Sequence, residues 1–323
     1  MTISAKMICD SISQQNIRLP TLQCRYPKFI HGEAKTHRKM RIADKVYELL
    51  EEVGFMDFPE FSRNASSSRA IPVTRLIQDV LDDPVIPIEF GRNRPGMQAI
   101  ELLHGEDLLA AKRTWLLARD RAVDSARDLL EQGVHKQIVN RIIEPWCHIN
   151  VVVTATEWAN FFALRRHKDA QPEMKALADS MWEAQQTSTP KLLLLNEWHL
   201  PYITDEQNTY TLEEKIRVSV ARCARVSYLT QEGKVPSLDE DLALYDRLFK
   251  YVPLHASPAE HQAKPDEMVI KDLRYAYANM DPTGKVSMAG TGKPTGAVPN
   301  QHGNFVGWCQ YRKMLPDEYI ADR

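Results

Sequence analysis

Residues 60–72 read EFSRNASSSRAIP and set four serines, an asparagine and two arginines between one hydrophobic stop and another. Ser and Asn favour turns because their side chains hydrogen-bond the nearby backbone, so one reading is a solvated loop. The other is a cradle for a polyanion. A phosphate needs short donors converging on its oxygens and a cation with a planar fork, and this stretch offers both. The stretch alone leaves the two readings open.

Outward from it, the chain has 323 residues, 43% hydrophobic and 26% charged, the balance of an ordinary globular protein with a full core. A single catalytic domain over 1–323 is expected. The formal charge of -2 removes the basic excess on which non-specific nucleic-acid binding rests, so any phosphate is expected to be bound locally. Five scattered cysteines with no C-x-x-C signal neither a disulfide framework nor a zinc ribbon, and a reducing cytoplasm is expected. The N-terminus lacks a basic segment followed by an apolar run, and the most apolar stretch, 149–164, is broken by Asn150, Thr154, Thr156, Glu157 and Asn160. No membrane association is expected.

Periodicity predicts helices at 39–53, 107–132, 158–182 and 242–251, and strand-like segments at 19–30 and 149–154. Residues 264–304, rich in Gly, Pro and Thr, read as a loop-rich excursion. It contains GTGKPTG at 290–296, but a phosphate-binding loop ending at Gly292-Lys293 needs Gly at 287 and Ser or Thr at 294, where the chain has Ser287 and Pro294. Cys147, His148 and His167 have no partners at ligand spacing, so no metal is expected.

The serine-rich stretch also resembles part of a family signature. Flavin-dependent thymidylate synthases share R-H-R-x-x-S-x-N-E-x-S-x-R-Y; this chain has THR at 36–38 and SRNASSSRA at 62–70, with the expected helix 39–60 as an insertion between them. His37, Arg38, Ser62, Asn64, Ser67 and Arg69 match, while Thr36, Ala65 and Ala70 replace the family's Arg, Glu and Tyr. R-I-I-E-P at 141–145, A-N-F-F-A-L-R at 159–165 and D-A-Q-P-E-M at 169–174 resemble further family segments in the same order. Two segments that ordinarily lie near the family's N-terminus are matched late here, by R-C-A-R-V-S-Y at 222–228 and H-A-S-P-A-E-H at 255–261. The resemblance therefore implies a circularly permuted, phage-like member, with 213–263 equivalent to the family's N-terminal portion. Permutation is tolerated where termini lie close together.

What the resemblance implies is an α+β fold, an antiparallel sheet with flanking helices, in a homotetramer. It implies an enzyme that methylates dUMP at C5 to give dTMP, with FAD, NADPH and methylenetetrahydrofolate. Ser62, Asn64, Ser66, Ser67 and Arg69 would hold the nucleotide, with Arg141 as a second contact. Hydroxyl and guanidinium donors suit a phosphate dianion. Arg165 would face the pyrimidine and stabilise charge developing as the ring is activated, the catalytic role. His37, Arg38, Asn160, Ser227 and His261 would lie on the cofactor or folate side. Q-Y-R-K at 310–313 resembles in composition the Gln-Trp-x-Arg that ordinarily precedes the family's His-Arg, where this chain has Glu33 and Thr36; Gln310 and Arg312 would restore the missing amide and cation, or else the terminal segment merely docks through Phe305 and Trp308. Glu33 in place of an amide keeps open dCMP as substrate and transfer at the hydroxymethyl level. A catalytically inactive nucleotide-binding homologue is the remaining alternative.

Overall fold

The structure, a computed structural model, describes residues 3–35, 38–41, 56–59, 61–96, 99–226, 236–250, 254–269 and 295–318. The chain runs β1 (Ser4–Ser13), β2 (Arg18–Pro27), α1 (His31–Lys35), β3 (Arg38–Arg41), β4 (Met56–Pro59), β5 (Ser62–Ala65), α2 (Val73–Asp82), α3 (Gly105–Glu131), α4 (Lys136–Ile142) and β6 (His148–Thr154). It continues through α5 (Ala159–Arg165), α6 (Pro172–Gln186), β7 (Lys191–Leu193), α7 (Leu212–Arg225), α8 (Leu238–Phe249), β8 (Ala263–Pro265), β9 (Met268–Val269), β10 (Thr295–Gly296) and β11 (Trp308–Gln310). This is an α+β fold.

Among the described residues the main sheet has the order β5-β6-β2-β1-β7. β1 and β2 form a hairpin whose turn places Asn16 at φ 61, a left-handed conformation that Asn tolerates better than most residues. β2 and β6 pair antiparallel from Thr21 against Thr154 to Pro27 against His148, and β5 pairs antiparallel with the other edge of β6. An antiparallel sheet is expected; the observed one is antiparallel except that β7 joins β1 in parallel.

Alternation places β2 and β6 between two layers. Leu22, Cys24, Tyr26, Ile149, Val151 and Val153 face one side, against Trp158, Phe161 and Phe162 around α5 and Met174, Leu177 and Met181 of α6. Val152 faces the other side and packs on Cys223 and Val226 at the end of α7. β6 reads as a near-continuous apolar run, as a strand covered on both faces does, whereas β2 alternates Leu22, Cys24 and Tyr26 with polar residues, and both patterns were legible. A second core joins Leu76, Val80, Val123, Val139, Ile143 and Trp146, and closes α2, α3 and α4 into a helical layer. A third packs Phe305 and Trp308 of the C-terminal segment on Leu19, Leu193 and Ala263.

Three expectations are corrected. The helix expected from Lys39 instead begins as strand, since Arg38–Arg41 ladders with Met56–Pro59; residues 42–55 lie outside the described residues. The helix 158–182 is two, because the chain leaves α5 after Arg165 and restarts at Pro172, which suits a first helical turn but not an interior. Ala263–Pro265 pairs with Trp308–Gln310, so the ends of the loop-rich excursion are strand and turn, while 270–294 lie outside the described residues. Among the described residues no helix is long and apolar enough to cross a membrane.

Candidate active site

The serine-rich stretch begins inside the sheet and ends outside it. β5 follows β6 as far as Ala65. Ser66 then fixes the exit: its N–H donates to Asn150 O at 2.8 Å and its Oγ accepts from Asn150 N at 3.0 Å. The loop beyond is held from behind by α4 and the turn after it. Buried Asn140 donates through Nδ2 to Ser68 O at 2.6 Å and to Ile71 O at 2.9 Å, and Lys136 Nζ donates to Ala70 O at 3.0 Å. These carbonyls sit where no strand or helix partner exists, so side-chain amide and ammonium donors satisfy them.

One carboxylate oxygen ties this frame together. Glu144 Oε1 accepts from Ser68 Oγ and Lys28 Nζ, and Arg141 Nη1 lies 3.4 Å from it. Burial pushes the Glu144 carboxyl up, but the hydrogen bonds from Lys28 and Ser68 and the charges of Lys28 and Arg141 outweigh it and hold the group below the usual carboxylate range. Glu144 is therefore anionic and fully engaged. Arg141 keeps 56% of its side chain exposed, Arg69 is exposed, and Ser67 is half-buried. Immediately after the loop α2 starts at Val73, with no side-chain cap from Pro72 and no acid in its first turn, so its first N–H groups also favour an anion. Ser67, Arg69 and the start of α2 are thus neighbours along the chain, and Arg141 is tied to the loop through Glu144.

The other expected residues fall elsewhere. Ser62 and Asn64 are buried, and their polar groups are engaged within the fold: Ser62 Oγ donates to Asn304 Oδ1 at 3.0 Å, Asn64 Nδ2 donates to Cys223 O at 3.1 Å, and Asn64 Oδ1 accepts from Ser257 Oγ. Gln310 is buried and donates to Ser62 Oγ, Glu260 O and Asn304 Oδ1. Arg312 is paired with Glu260 and Glu318. His261 is 0% exposed, at the end of a buried polar chain in which Ser11 Oγ, His199, Thr21 Oγ1, Thr154 Oγ1 and His261 Nδ1 follow one another at 2.7–2.8 Å. Asn160 is exposed on α5. His37 and Ser227, and the side chain of Arg38, lie outside the described residues.

Arg165 ends α5, half-buried, with its Nε buried and without a hydrogen-bond partner. No hydrogen bond or ion pair among the described residues joins it to the serine loop. A shallow groove of about 480 Å³ between β1 and α6, bordered by Met7, Ser180 and Ser188, contains none of the expected residues. The sequence reading missed Ser68, Glu144, Asn140 and Lys136. Glu144 stood inside R-I-I-E-P and Ser68 inside the serine run, so the signal was present but gave no reason to join segments 76 positions apart.

Residues 74–191 match the model of the family described as thymidylate synthase complementing protein. Over that span, about a third of the chain, the sequence is similar to this family. The span carries Asn140, Arg141, Glu144 and Arg165; the serine loop and the segments at 222–228 and 255–261 lie outside it. Solved structures that the chain resembles include the UMP/dUMP methylase PolB of Streptomyces cacaoi bound with 5-Br dUMP, at 14% identity and TM-score 0.40, covering 57% of this chain and 90% of that one. The same methylase bound with 5-Br UMP gives 16% identity and TM-score 0.39, with 57% and 88% covered. The comparison with curated proteins gives no match.

Proposed function

We propose that this chain is a pyrimidine nucleotide C5 methyltransferase that converts dUMP to dTMP, taking its carbon from methylenetetrahydrofolate and its reducing equivalents from NADPH through FAD. The family match supports the reaction class. The observation that carries the site is the meeting of Ser68, Lys28 and Arg141 on Glu144, which fixes the serine loop against an arginine from the matched span. In this reading Ser67 and Arg69 bind the nucleotide phosphate, the start of α2 adds N–H donors, and Arg141 supplies a second cation. Glu144 does not touch the nucleotide; it orients the groups that do.

Arg165 is assigned to the pyrimidine. Its unpartnered buried Nε fits a group that completes its hydrogen bonds only when a ligand or another subunit arrives. The flavin, when bound, supplies the hydride. The described members of its expected set do not form a cradle for it: His261 and Gln310 are sealed and Arg312 is neutralised by two carboxylates, leaving exposed Asn160. No step is therefore assigned to a residue acting on the flavin. A homotetramer, with the chain order permuted relative to the family, belongs to the same reading. The 27-residue α3 supports the assembly, since it buries only Val123 and Ala126 and exposes Leu109 and Leu117.

The test is an incubation of the full chain with FAD, NADPH, methylenetetrahydrofolate and either dUMP or dCMP, with product masses determined. A product one CH2 heavier than dUMP is expected. A hydroxymethyl product or exclusive use of dCMP would replace the substrate or product assignment, and nucleotide binding without conversion would leave a binding protein.

A further inference from the structure

We propose that Asp266, His302 and Cys309 form a metal-ion site of the zinc type, which fastens the C-terminal ribbon to the segment that precedes it. The three come from separate places. Asp266 follows β8, Cys309 is the middle residue of β11, and His302 follows the turn Pro299–Gln301. Antiparallel pairing sets Cys309 opposite Lys264 and Trp308 opposite Pro265, and Asp266 N donates to Gly307 O at 3.0 Å, which brings the aspartate beside the cysteine. Phe305 and Trp308, both 0% exposed, anchor the chain between His302 and Cys309 in the third core. The donors are thus placed by packing rather than by flexible side chains.

All three residues are buried, and one ligand atom from each lies within 4.8 Å of the other two. A tetrahedral ion bound at about 2.0–2.3 Å holds its donors roughly 3.3–3.8 Å apart. His302 Nε2 stands 2.7 Å from Asp266 Oδ2, so closing around an ion requires that hydrogen bond to open by under about 1 Å and the widest gap to shrink by a similar amount. The donor set is one sulfur, one imidazole nitrogen and one carboxylate oxygen, which suits zinc and not calcium or magnesium. Asp266 Oδ2 also accepts from Val298 N at 3.1 Å, a contact of the kind that orients a ligating carboxylate. Three protein ligands leave a fourth position for water. Spacing does not signal this site, because the ligands are separated by 36 and 7 positions and form none of the short ligand repeats.

Cobalt(II) is the probe that sees this site directly. The full chain, stripped with chelator, is titrated with Co(II) and then with Zn(II). One Co(II) per chain is expected, with tetrahedral d–d bands and a thiolate-to-cobalt charge-transfer band that equimolar Zn(II) abolishes. Cys309→Ser is expected to lose the charge-transfer band, and His302→Gln to weaken Co(II) binding at least tenfold; Cys9→Ser, outside the cluster, keeps both. Should Cys309→Ser fail to fold, the wild-type titration and Asp266→Asn still decide. Absence of a charge-transfer band in the wild type, or its persistence in folded Cys309→Ser, overturns the site and leaves a carboxylate held by hydrogen bonds alone.

Discussion

Gln310 Nε2 donates to Ser62 Oγ at 3.2 Å and so joins the C-terminal strand to the strand that launches the serine loop, 248 positions away. Asn304 Oδ1 accepts from both residues, which closes a buried polar knot at the edge of β5. Gln310 thereby supports the loop from behind instead of facing a ligand. Gln310→Ala leaves Glu260 O and Asn304 Oδ1 short of a donor, and we expect a loss of about 1–3 kcal/mol in stability. Denaturant melts measure that loss. Calorimetry with dUMP should show a dissociation constant within about threefold of the parent; a large loss of affinity with unchanged stability would return Gln310 to the ligand site.

Gly303 lies against the same amide. It sits at φ +59, and a Cβ built there would stand 2.6 Å from Gln310 Oε1. Gly303→Ala therefore combines a left-handed penalty of about 1–2 kcal/mol with displacement of the Gln310 side chain. We expect it to be at least as destabilising as Gln310→Ala, and the double variant to fall well short of the sum, because both act on one group. A fully additive pair would separate the two positions.

How much of this was legible follows from range and burial. β2, β6 and α3 were read from periodicity because their patterns are local and strong. β1 was not: S-A-K-M-I-C-D-S-I-S is largely half-buried, carries a bulge between Met7 and Cys9, and lacks the aromatic and β-branched density of a central strand. For the proposed site, resemblance offered Ser67, Arg69, Arg141 and Arg165 as single positions. It did not supply the ties of Ser68, Lys28 and Arg141 to Glu144, nor show that Ser62, Asn64 and the Nδ1 of His261 are engaged inside the fold, because those facts are contacts between distant segments.

Arg69 gives the most direct test of the loop. It is exposed and next to Ser68, whose Oγ is fixed on Glu144, so its guanidinium is free to meet a phosphate while the loop stays in place. A charge-assisted hydrogen bond of about 1.5–3 kcal/mol corresponds to roughly tenfold to 150-fold in affinity. Arg69→Ala is expected to raise the dUMP dissociation constant by that factor and to leave the melting temperature and the weak binding of deoxyuridine unchanged. Equal losses for nucleotide and nucleoside would remove Arg69 from the phosphate.

Half-buried His148 and buried His199 and His261 couple stability to acid pH. Burial pushes His148 down to about 4, helped by the Arg25 charge and opposed by Asp83, and burial pushes His199 and His261 down to about 3. The folded chain keeps these rings neutral, whereas the unfolded chain protonates them near 6.5. Their contribution is complete above 6.5 and is lost as pH falls from there toward 4 and 3. The melting temperature should decline steadily between pH 7 and 5, and His148→Gln should flatten part of that decline. A slope unchanged in His148→Gln would show that the ring takes up its proton equally in the folded and unfolded chain.

Arg165 separates catalysis from binding. Its Nε is buried with no partner among the described residues, a costly arrangement in an empty site, while the rest of its side chain remains half-buried. Removing it should therefore not destabilise the isolated chain: Arg165→Ala is expected to melt at or slightly above the parent temperature. If the guanidinium meets charge that develops on the pyrimidine as it reacts, its loss falls on turnover and not on the ground state. The scale for deleting one such donor is about two to three orders of magnitude in kcat, with the dUMP dissociation constant changed only a few-fold. Arg165→Lys keeps the charge but loses the planar fork, and should recover only part of the rate. Turnover within a few-fold of the parent in Arg165→Ala would end the catalytic assignment; a loss of melting temperature instead would make the residue a structural cation whose partner arrives from another subunit.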